Sequence, residues 1–250
     1  MIAENVKNIQ ENIKTACIAA GRSPESVTLI AVSKTFDYIG IQEVIETGVF
    51  DIGENYVQEI VEKRLKVQDD RVRWHFIGHL QSNKVKYIVE WVNLIHSVDN
   101  VNVAAEIQKR GAKLNRVIDV LVEVNTSGEA SKFGVKPEET SKLIKEISHH
   151  PNLCIKGVMT IGPFLPDPGQ SRPAFRTLKR VFDEANSAGI VQNPLVHLSM
   201  GMTHDFTVAI EEGSTMVRIG TAIFGSRKKS PATEGGFNEI NTSRRKETGI

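Results

Sequence analysis

The chain has 250 residues, of which 40% are hydrophobic, so it is long enough to bury a sizeable core as one domain. Its 31 basic and 30 acidic residues leave a formal net charge of +1, which argues against nucleic acid or an anionic membrane as a partner. No apolar run approaches the length of a membrane span, and Cys17 and Cys154 lie far apart in sequence, as expected for reduced thiols in the cytoplasm. We therefore expect a cytoplasmic enzyme or binding protein.

Short β-rich runs alternate with helical stretches along the chain. An amphipathic N-terminal helix comes first, with Val6, Ile9, Ile13 and Ala16 on one face. Strands are predicted to begin near Val27, Phe50, Trp74, Asn93, Val117, Cys154, Leu195 and Thr215. Helices are predicted over residues 38–48, 55–66, 82–89, 101–109, from 137, 174–188 and 205–212, with a short turn from 221. Gly111 is predicted to end the helix that begins at Val101.

This strict alternation of eight strands with helices predicts an α/β fold with a parallel sheet. Eight repeats favour closure into a (β/α)8 barrel of the TIM type, and an open doubly wound sheet is the alternative. The barrel, with its additional N-terminal helix, is expected to occupy residues 1–225. Residues 226–250 are polar and contain Pro231 and Gly235-Gly236, so we expect a flexible tail there.

Lys34 is the first candidate functional residue, because barrels place their chemistry at the carboxyl ends of the strands. It follows seven mostly apolar residues, and a low-dielectric barrel mouth would lower the pKa of its amine and make it a nucleophile for an aldehyde. The alternative is a lysine whose stem packs while its ammonium reaches water. The polar residues after the other strands are Glu54, Asn55, His79, Gln81, Asn83, Asn125, Ser127, Ser199, Arg218 and Thr221.

The last two strands offer a candidate phosphate site. The segments Ser199-Met200-Gly201 and Gly220-Thr221 lie beyond strands seven and eight, where barrels often bind phosphate with backbone N–H groups. These residue types are also ordinary turn residues. A reactive amine and a phosphate site in one barrel mouth together match a cofactor that carries both an aldehyde and a phosphate.

Two other kinds of site are not expected. His75 and His79 have the spacing of a helical zinc pair. The end of a strand and Gly78 lie between them, so they cannot share one face of a helix, and no metal site is predicted. His197 and Ser199 lack the G-x-S-x-G sequence that surrounds a hydrolase serine. Lys132, in a loop with Ser131 and Gly134, is interpreted as a surface lysine.

Seven motifs carry a resemblance to a known family. They are AVSKT (31–35), GENYVQE (53–59), WHFIGHLQSNK (74–84), HSVD (96–99), GVMTIGP (157–163), LSMGMTHD (198–205) and GSTMVRIGTAIFG (213–225). With them the chain resembles the pyridoxal phosphate homeostasis protein family, whose fold is similar to the N-terminal barrel of bacterial alanine racemase. The motifs run from the first strand to the last, so the resemblance covers the whole barrel.

The resemblance implies that Lys34 forms an imine with pyridoxal 5′-phosphate and that Arg218 faces the pyridine nitrogen. It implies further cofactor contacts from Asn55 and Met159 near the ring, from Ser199, Gly220 and Thr221 at the phosphate, and from Met200 and Gly201 in the phosphate loop. No residue is predicted to be catalytic. An arginine only donates hydrogen bonds, so the ring nitrogen would stay unprotonated and the ring would be a weak electron sink.

Three functions are compatible with this site. The favoured one is a monomeric carrier that holds pyridoxal phosphate and passes it to pyridoxal-phosphate-dependent apoenzymes. The second is an amino-acid racemase, and the third is a phosphate-ligand barrel with a different activity. Racemisation needs acid–base groups on both faces of the substrate, and in the similar racemases a tyrosine positioned with a C-terminal β domain serves the second face. We expect no such domain in the residues after Gly225, and Tyr38, Tyr56 and Tyr87 lie in or beside predicted helices.

Overall fold

In the computed structural model, which describes residues 1–129, 131–191 and 193–225, parallel strands alternate with helices around a closed barrel. The strands are β1 (Thr28–Val32), β2 (Asp51–Glu54), β3 (Arg73–Phe76), β4 (Leu94–Val98), β5 (Ile118–Glu123), β6 (Leu153–Met159), β7 (His197–Met202) and β8 (Met216–Ile219). The α-helices are α1 (Ile2–Ala19), α2 (Tyr38–Glu46), α3 (Val57–Lys66), α4 (Val101–Leu114), α5 (Pro137–Ile147), α6 (Arg172–Ser187), α7 (Phe206–Glu211) and α8 (Thr221–Phe224). Short 3₁₀ helices cover Pro24–Ser26, Ser82–Tyr87 and Pro168–Ser171.

The pairing of β1 with both β2 and β8 closes the sheet. The predicted (β/α)8 barrel is therefore confirmed, and the open-sheet alternative is wrong. The tail predicted over 226–250 lies outside the described residues. Because every strand is parallel, all carboxyl ends of the strands meet at one face, which we call the barrel mouth.

Two apolar cores follow from the alternation of side chains along each strand. The larger core lies between the strands and the surrounding helices. The smaller core fills the barrel lumen and consists of Ile30, Leu94, Leu121, Met159 and Met216. Polar side chains that share the parity of this lumen set, such as His96 two residues after Leu94, are buried inside the barrel as well.

The N-terminal helix α1 packs on α2, α7 and α8. Its predicted apolar face is confirmed, since Val6, Ile9, Ile13 and Ala16 are all buried. Asn5 Nδ2 donates to the carbonyl oxygen of Ile223 at 2.9 Å, which ties α1 to the last described helix. This helix therefore supports the segment after β8 that contains Gly220 and Thr221.

Two predicted elements differ from the structure. Helix α4 does not end at Gly111 but continues to Leu114, and Asn115 ends it with a left-handed backbone at φ 49°. Gly111 is buried within the helix, where a Cβ atom would lie 2.8 Å from the carbonyl oxygen of Arg116. The predicted helix over 82–89 is a shorter 3₁₀ helix, Ser82–Tyr87.

Within the described ranges, no helix is long and apolar enough to cross a lipid bilayer. Cys17 is buried, Cys154 is half-buried, and both are free thiols. The expectation of unpaired thiols is therefore confirmed, although only Cys17 is fully buried.

Candidate functional site

Lys34 lies in the tight turn that follows β1 at the barrel mouth. Its side chain is half-buried, and Ser33 before it is fully buried. Thr35 has a φ of 68°, a left-handed conformation that is strained for a β-branched residue. The Thr35 N–H donates to Glu59 Oε2 at 2.8 Å, so helix α3 holds the strained turn beside Lys34.

The Lys63 side chain of α3 links the ends of β1 and β2 next to this turn by hydrogen bonds. Its ammonium donates to the Ser33 carbonyl oxygen at 2.8 Å, to Glu54 Oε1 at 2.6 Å and to Glu59 Oε2 at 2.9 Å. Burial raises the pKa of Glu54, and Lys63 opposes that shift. With three acceptors for its three N–H groups, Lys63 serves the framework around Lys34.

Asn55 follows β2 at the mouth, and its buried side-chain amide oxygen lacks a hydrogen-bond partner among the described residues. Gly78 lets the end of β3 pack on this residue, because a Cβ atom there would lie 2.2 Å from the Asn55 carbonyl oxygen. A buried polar atom without a protein partner is a position where a ligand could supply one.

Arg218 on β8 is a buried cation next to the strand that leads to Lys34. It is 4% exposed and lies in register with Ile30 of β1. Its Nη1 donates to Ser199 Oγ at 2.6 Å and its Nη2 donates to the Thr160 carbonyl oxygen at 2.7 Å. Burial lowers the pKa of Arg218 to about 10, so the guanidinium remains charged at neutral pH.

Ser199 lies inside the lumen, in register with Met159. Besides the bond from Arg218, its Oγ lies 3.1 Å from Nδ1 of the fully buried His96. The hydroxyl is therefore engaged by Arg218 and His96. The expected contact of Ser199 with a phosphate stays a prediction.

The candidate phosphate residues lie at the adjacent ends of β7 and β8. Gly201 has a φ of 93°, and a Cβ atom there would lie 2.6 Å from Ala209 Cβ, so glycine allows α7 to pack on this loop. Thr221 is exposed at the start of α8, directly after Gly220. The Met200 side chain is buried in the outer core. Thr203, half-buried just after β7, adds a further hydroxyl at this edge.

Glu123 and Asp99 make the β4–β5 side of the mouth acidic. Burial, together with the charge of Asp99, raises the pKa of Glu123 to about 7, and Arg218 opposes this shift. Asp99 Oδ2 lies 3.7 Å from His79 Nδ1, and the His79 ring stacks on Phe133 with centroids 3.7 Å apart. A carboxyl group with such a pKa can hold or release a proton near neutral pH.

The remaining sequence candidates are engaged within their own loop or are exposed. Asn125 Nδ2 donates to the carbonyl oxygens of Glu129 and Lys132, and Ser127 Oγ donates to Asn125 Oδ1, so both residues organise the β5–α5 loop. The Lys132 ammonium is paired with Glu129 at 2.8 Å. Gln81 and Asn83 lie exposed at the start of the 3₁₀ helix after β3.

Comparison with known proteins identifies the family. Residues 5–228 match the family model described as alanine racemase, N-terminal domain. A pyridoxal phosphate homeostasis protein of Aquifex aeolicus is 48% identical over 225 residues, which cover 90% of this chain and 98% of that protein. A protein of the same description from Pseudomonas aeruginosa is 39% identical over 90% of this chain and 96% of its own length. The chain belongs to the pyridoxal phosphate homeostasis protein family. The resemblance inferred from the seven motifs is therefore confirmed.

Solved structures similar to this family member have the same barrel. PipY of Synechococcus elongatus, solved with pyridoxal phosphate bound, has a TM-score of 0.79 and 30% identity over 90% of this chain and 100% of its own. Alanine racemase of Clostridium difficile has a TM-score of 0.70 and 16% identity, and the match covers 92% of this chain and 58% of the racemase. At that identity, the racemase supports the fold alone.

Of the residues in the lumen, sequence reasoning found Met159, Ser199 and Arg218 but missed Asp51, His96 and Glu123, and it considered His75 for a metal site alone. His75, His96 and Asp51 lie within strands that the sequence presents as continuous buried runs, and Glu123 lies two residues before Asn125, the residue that was considered. The signal that could have found them is parity, because His96 lies two residues after Leu94 and Glu123 two residues after Leu121, both of the lumen core.

Proposed function

We propose that this protein binds pyridoxal 5′-phosphate at the barrel mouth, with Lys34 in an imine to its aldehyde, and serves cytoplasmic pyridoxal phosphate homeostasis without appreciable catalysis. The observation that carries the proposal is the position of Arg218. It places a buried cation on β8, the strand that pairs with β1, and Lys34 follows the end of β1. Recipients of the cofactor would be pyridoxal-phosphate-dependent apoenzymes.

The residues at the mouth fit this cofactor. Pyridoxal phosphate needs an amine for its aldehyde, partners for its ring substituents and donors for its phosphate. Lys34 provides the amine, and the Asn55 side-chain amide, whose buried Oδ1 has no partner among the described residues, can hydrogen-bond to a ring substituent. Gly201 at the end of β7 and Gly220 and Thr221 after β8 could hold the phosphate, and Met159 of the lumen core could pack on the ring. All of these residues come from one chain, which suits a monomer.

Arg218 disfavours reactions that need a strong electron sink, such as transamination, and is compatible with a carrier or with racemisation. Bound pyridoxal phosphate supplies an electrophilic aldehyde and a ring that withdraws electrons when its nitrogen is protonated. Arg218 stays charged at neutral pH and can only donate, so it offers the ring nitrogen a hydrogen bond and no acceptor for a ring proton. The ring nitrogen would therefore remain unprotonated, which weakens its capacity to stabilise a carbanion.

The relatives support the same function. Two family members that are 39% and 48% identical are described as pyridoxal phosphate homeostasis proteins. PipY, at 30% identity, has a structure with pyridoxal phosphate bound.

Borohydride trapping tests the proposal directly. The protein loaded with pyridoxal phosphate should absorb visible light, and borohydride should fix the cofactor on the peptide that contains Lys34. Lys34→Ala should abolish the adduct and leave the circular dichroism spectrum unchanged, since a strand-end side chain contributes little to the core. Lys132→Ala is the matched control, because Lys132 is a lysine paired with Glu129 in a mouth loop, and it should keep the adduct. An adduct on another lysine of the unaltered protein would overturn the assignment.

A further inference from the structure

A continuous line of hydrogen bonds crosses the barrel lumen from Arg218 to the opposite face. Ser199 Oγ lies 2.6 Å from Arg218 Nη1 and 3.1 Å from His96 Nδ1. His96 Nε2 lies 3.0 Å from His75 Nδ1, and His75 Nε2 lies 2.9 Å from Asp51 Oδ1. We call the four residues Ser199, His96, His75 and Asp51 the lumen relay. Strands β7, β4, β3 and β2 contribute one residue each, and all four side chains are buried.

The Arg218 end of the lumen relay fixes the direction of its first hydrogen bond and is compatible with one direction for the others. Arginine can only donate, so Ser199 Oγ accepts from Arg218, and its single proton is then available to its other partner, Nδ1 of His96. His96 then carries its proton on Nε2 and donates it to Nδ1 of His75. His75 in turn carries its proton on Nε2 and donates it to Asp51.

The Asp51 end requires the same direction. Burial alone would raise the pKa of Asp51, but hydrogen bonds from His75 and Arg73 lower it below its ordinary value, so this carboxylate only accepts. Burial also lowers the pKa of His96 well below its usual value, as expected for a neutral ring. Both ends therefore agree on one arrangement, in which each proton is used once and all bond dipoles point the same way. Hydrogen bonds aligned in this way strengthen one another in a low-dielectric interior.

A contribution to folding stability does not by itself explain why the barrel contains the lumen relay. Buried polar groups are costly unless fully satisfied, and replacing them with well-packed apolar side chains is often neutral or stabilising. The apolar lumen residues Leu94 and Met216 show that this barrel accepts such packing beside the relay. At the end opposite Arg218, the relay reaches Asp51. Asp51 also pairs with Arg73, beside a cleft lined by α1 on the face of the barrel opposite the mouth.

We propose that Ser199, His96 and His75 are positioning residues that connect Arg218 to the negative charge of Asp51 and hold its guanidinium toward the ring nitrogen of the cofactor. The inference rests on the proposed function. Ser199 and the Thr160 carbonyl oxygen take two of the five N–H donors of Arg218 and fix its plane from two sides. Because the proton of Ser199 is directed to His96, the hydroxyl turns an oxygen lone pair toward Arg218.

The first experiment measures the relay in the protein without cofactor. Nitrogen-15 NMR of the histidine rings, assigned with His75→Gln and His96→Gln, should show both rings neutral with the proton on Nε2. Ser199→Ala should shift the Nδ1 signal of His96 and leave exposed His149 unchanged. A proton on Nδ1 of either His75 or His96 would overturn the proposal. This readout needs no bound cofactor, so it stands even if the proposed function fails.

The second experiment measures the ring nitrogen with pyridoxal phosphate labelled there with nitrogen-15. His96→Phe removes the acceptor of the Ser199 proton, so the ring-nitrogen signal should shift away from its wild-type position. His96→Gln, whose amide can accept from Ser199 and donate to His75, should restore most of that position. Met216→Leu, a lumen change two residues before Arg218, is the control and should cause no shift. A wild-type signal in cofactor-loaded His96→Phe would overturn the relay, whereas a wild-type protein that bound no pyridoxal phosphate would overturn the proposed function.

Discussion

Lys63 Nζ lies 2.8 Å from the carbonyl oxygen of Ser33, so a side chain of helix α3 holds the residue that directly precedes Lys34. The same ammonium lies 2.6 Å from Glu54 Oε1, and the Glu54 side chain is completely buried. The lysine that we expect to react is therefore positioned by a second lysine that neutralises a buried carboxylate. The consequence of this arrangement for stability can be measured.

Lys63→Met is expected to lower the free energy of unfolding by about 3–5 kcal/mol at pH 8, because it leaves the buried Glu54 charge without a partner. Burial raises the pKa of Glu54, so this carboxyl group can protonate in mildly acid solution, and the loss should be smaller at pH 5. Urea unfolding at both pH values measures the difference. Lys63→Met combined with Glu54→Gln should recover part of the stability at pH 8. Equal losses of unfolding free energy at the two pH values would show that the Glu54 charge does not cause the destabilisation. Unchanged cofactor affinity in Lys63→Met would show that the turn after β1 does not need Lys63.

Glu123 predicts a pH dependence of stability. Burial and Asp99 raise its pKa from 4.5 to about 7 in the folded protein. A carboxyl group with a raised folded pKa favours folding below its unfolded pKa, and this contribution is lost as the pH rises through the folded pKa. Between pH 5 and pH 8, the unaltered protein should lose roughly 2.5 kcal/mol more unfolding free energy than Glu123→Gln, since each pKa unit corresponds to about 1.4 kcal/mol.

Urea unfolding across that pH range measures the effect of Glu123. Glu129→Gln is the matched control, because Glu129 is an exposed glutamate in the loop after β5 and its replacement should leave the pH dependence as it is. Parallel pH profiles for the unaltered protein and Glu123→Gln would contradict the prediction.

Thr221→Ala and Ser199→Ala should have different effects on the affinities for pyridoxal phosphate and for pyridoxal. Thr221→Ala removes one hydrogen bond to a phosphate dianion, and a charged hydrogen bond contributes about 1.5–3 kcal/mol, so affinity for pyridoxal phosphate should fall roughly ten- to a hundred-fold. Affinity for pyridoxal, which has no phosphate, should not change. Ser199→Ala should weaken both ligands, because the Ser199 hydroxyl contacts Arg218 inside the lumen. Fluorescence titrations with the two ligands measure this, and a loss by Ser199→Ala for pyridoxal phosphate alone would instead indicate a direct phosphate contact.

The sequence predicted the barrel because its strands are short, apolar and regularly separated by helical segments. The end of α4 was predicted wrongly, since glycine is usual after a helix and Gly111 instead lies within one. There the absence of a side chain lets the helix approach the Arg116 and Asn152 backbones, which is a tertiary contact that a local pattern does not report. Asn115, four residues later, provides the left-handed end.

The site was predictable where a polar residue ends an apolar run. Lys34 and Asn55 stand at such ends, and the structure places both at the mouth. The lumen relay was not predictable in this way, because parallel strands buried on both faces read as apolar throughout and do not reveal which face forms the lumen. His75 and His96 have different neighbours in sequence and come together only when β3 pairs with β4.

Amino-acid racemisation is the activity that would most directly contradict a carrier, and we expect none at an appreciable rate. The reaction removes a proton from one face of the substrate and returns it on the other, so two acid–base groups must flank the cofactor. Lys34 can serve one face. Tyr38 lies at the start of α2 with the Lys66 ammonium 5.2 Å from its ring centre, while Tyr56 and Tyr87 are exposed. The candidates for the second face are thus Glu123, with a pKa near neutrality, and His79, which stacks on Phe133.

The test incubates cofactor-loaded protein with L-alanine and other L-amino acids and measures D-enantiomers by chiral chromatography. Turnover on the order of 1 per second or more, a rate typical of enzymes, that disappeared in Lys34→Ala would establish a racemase. Glu123→Gln and His79→Gln would then identify the second group, since only replacement of the true partner of Lys34 would remove the activity while leaving the borohydride-trapped adduct in place.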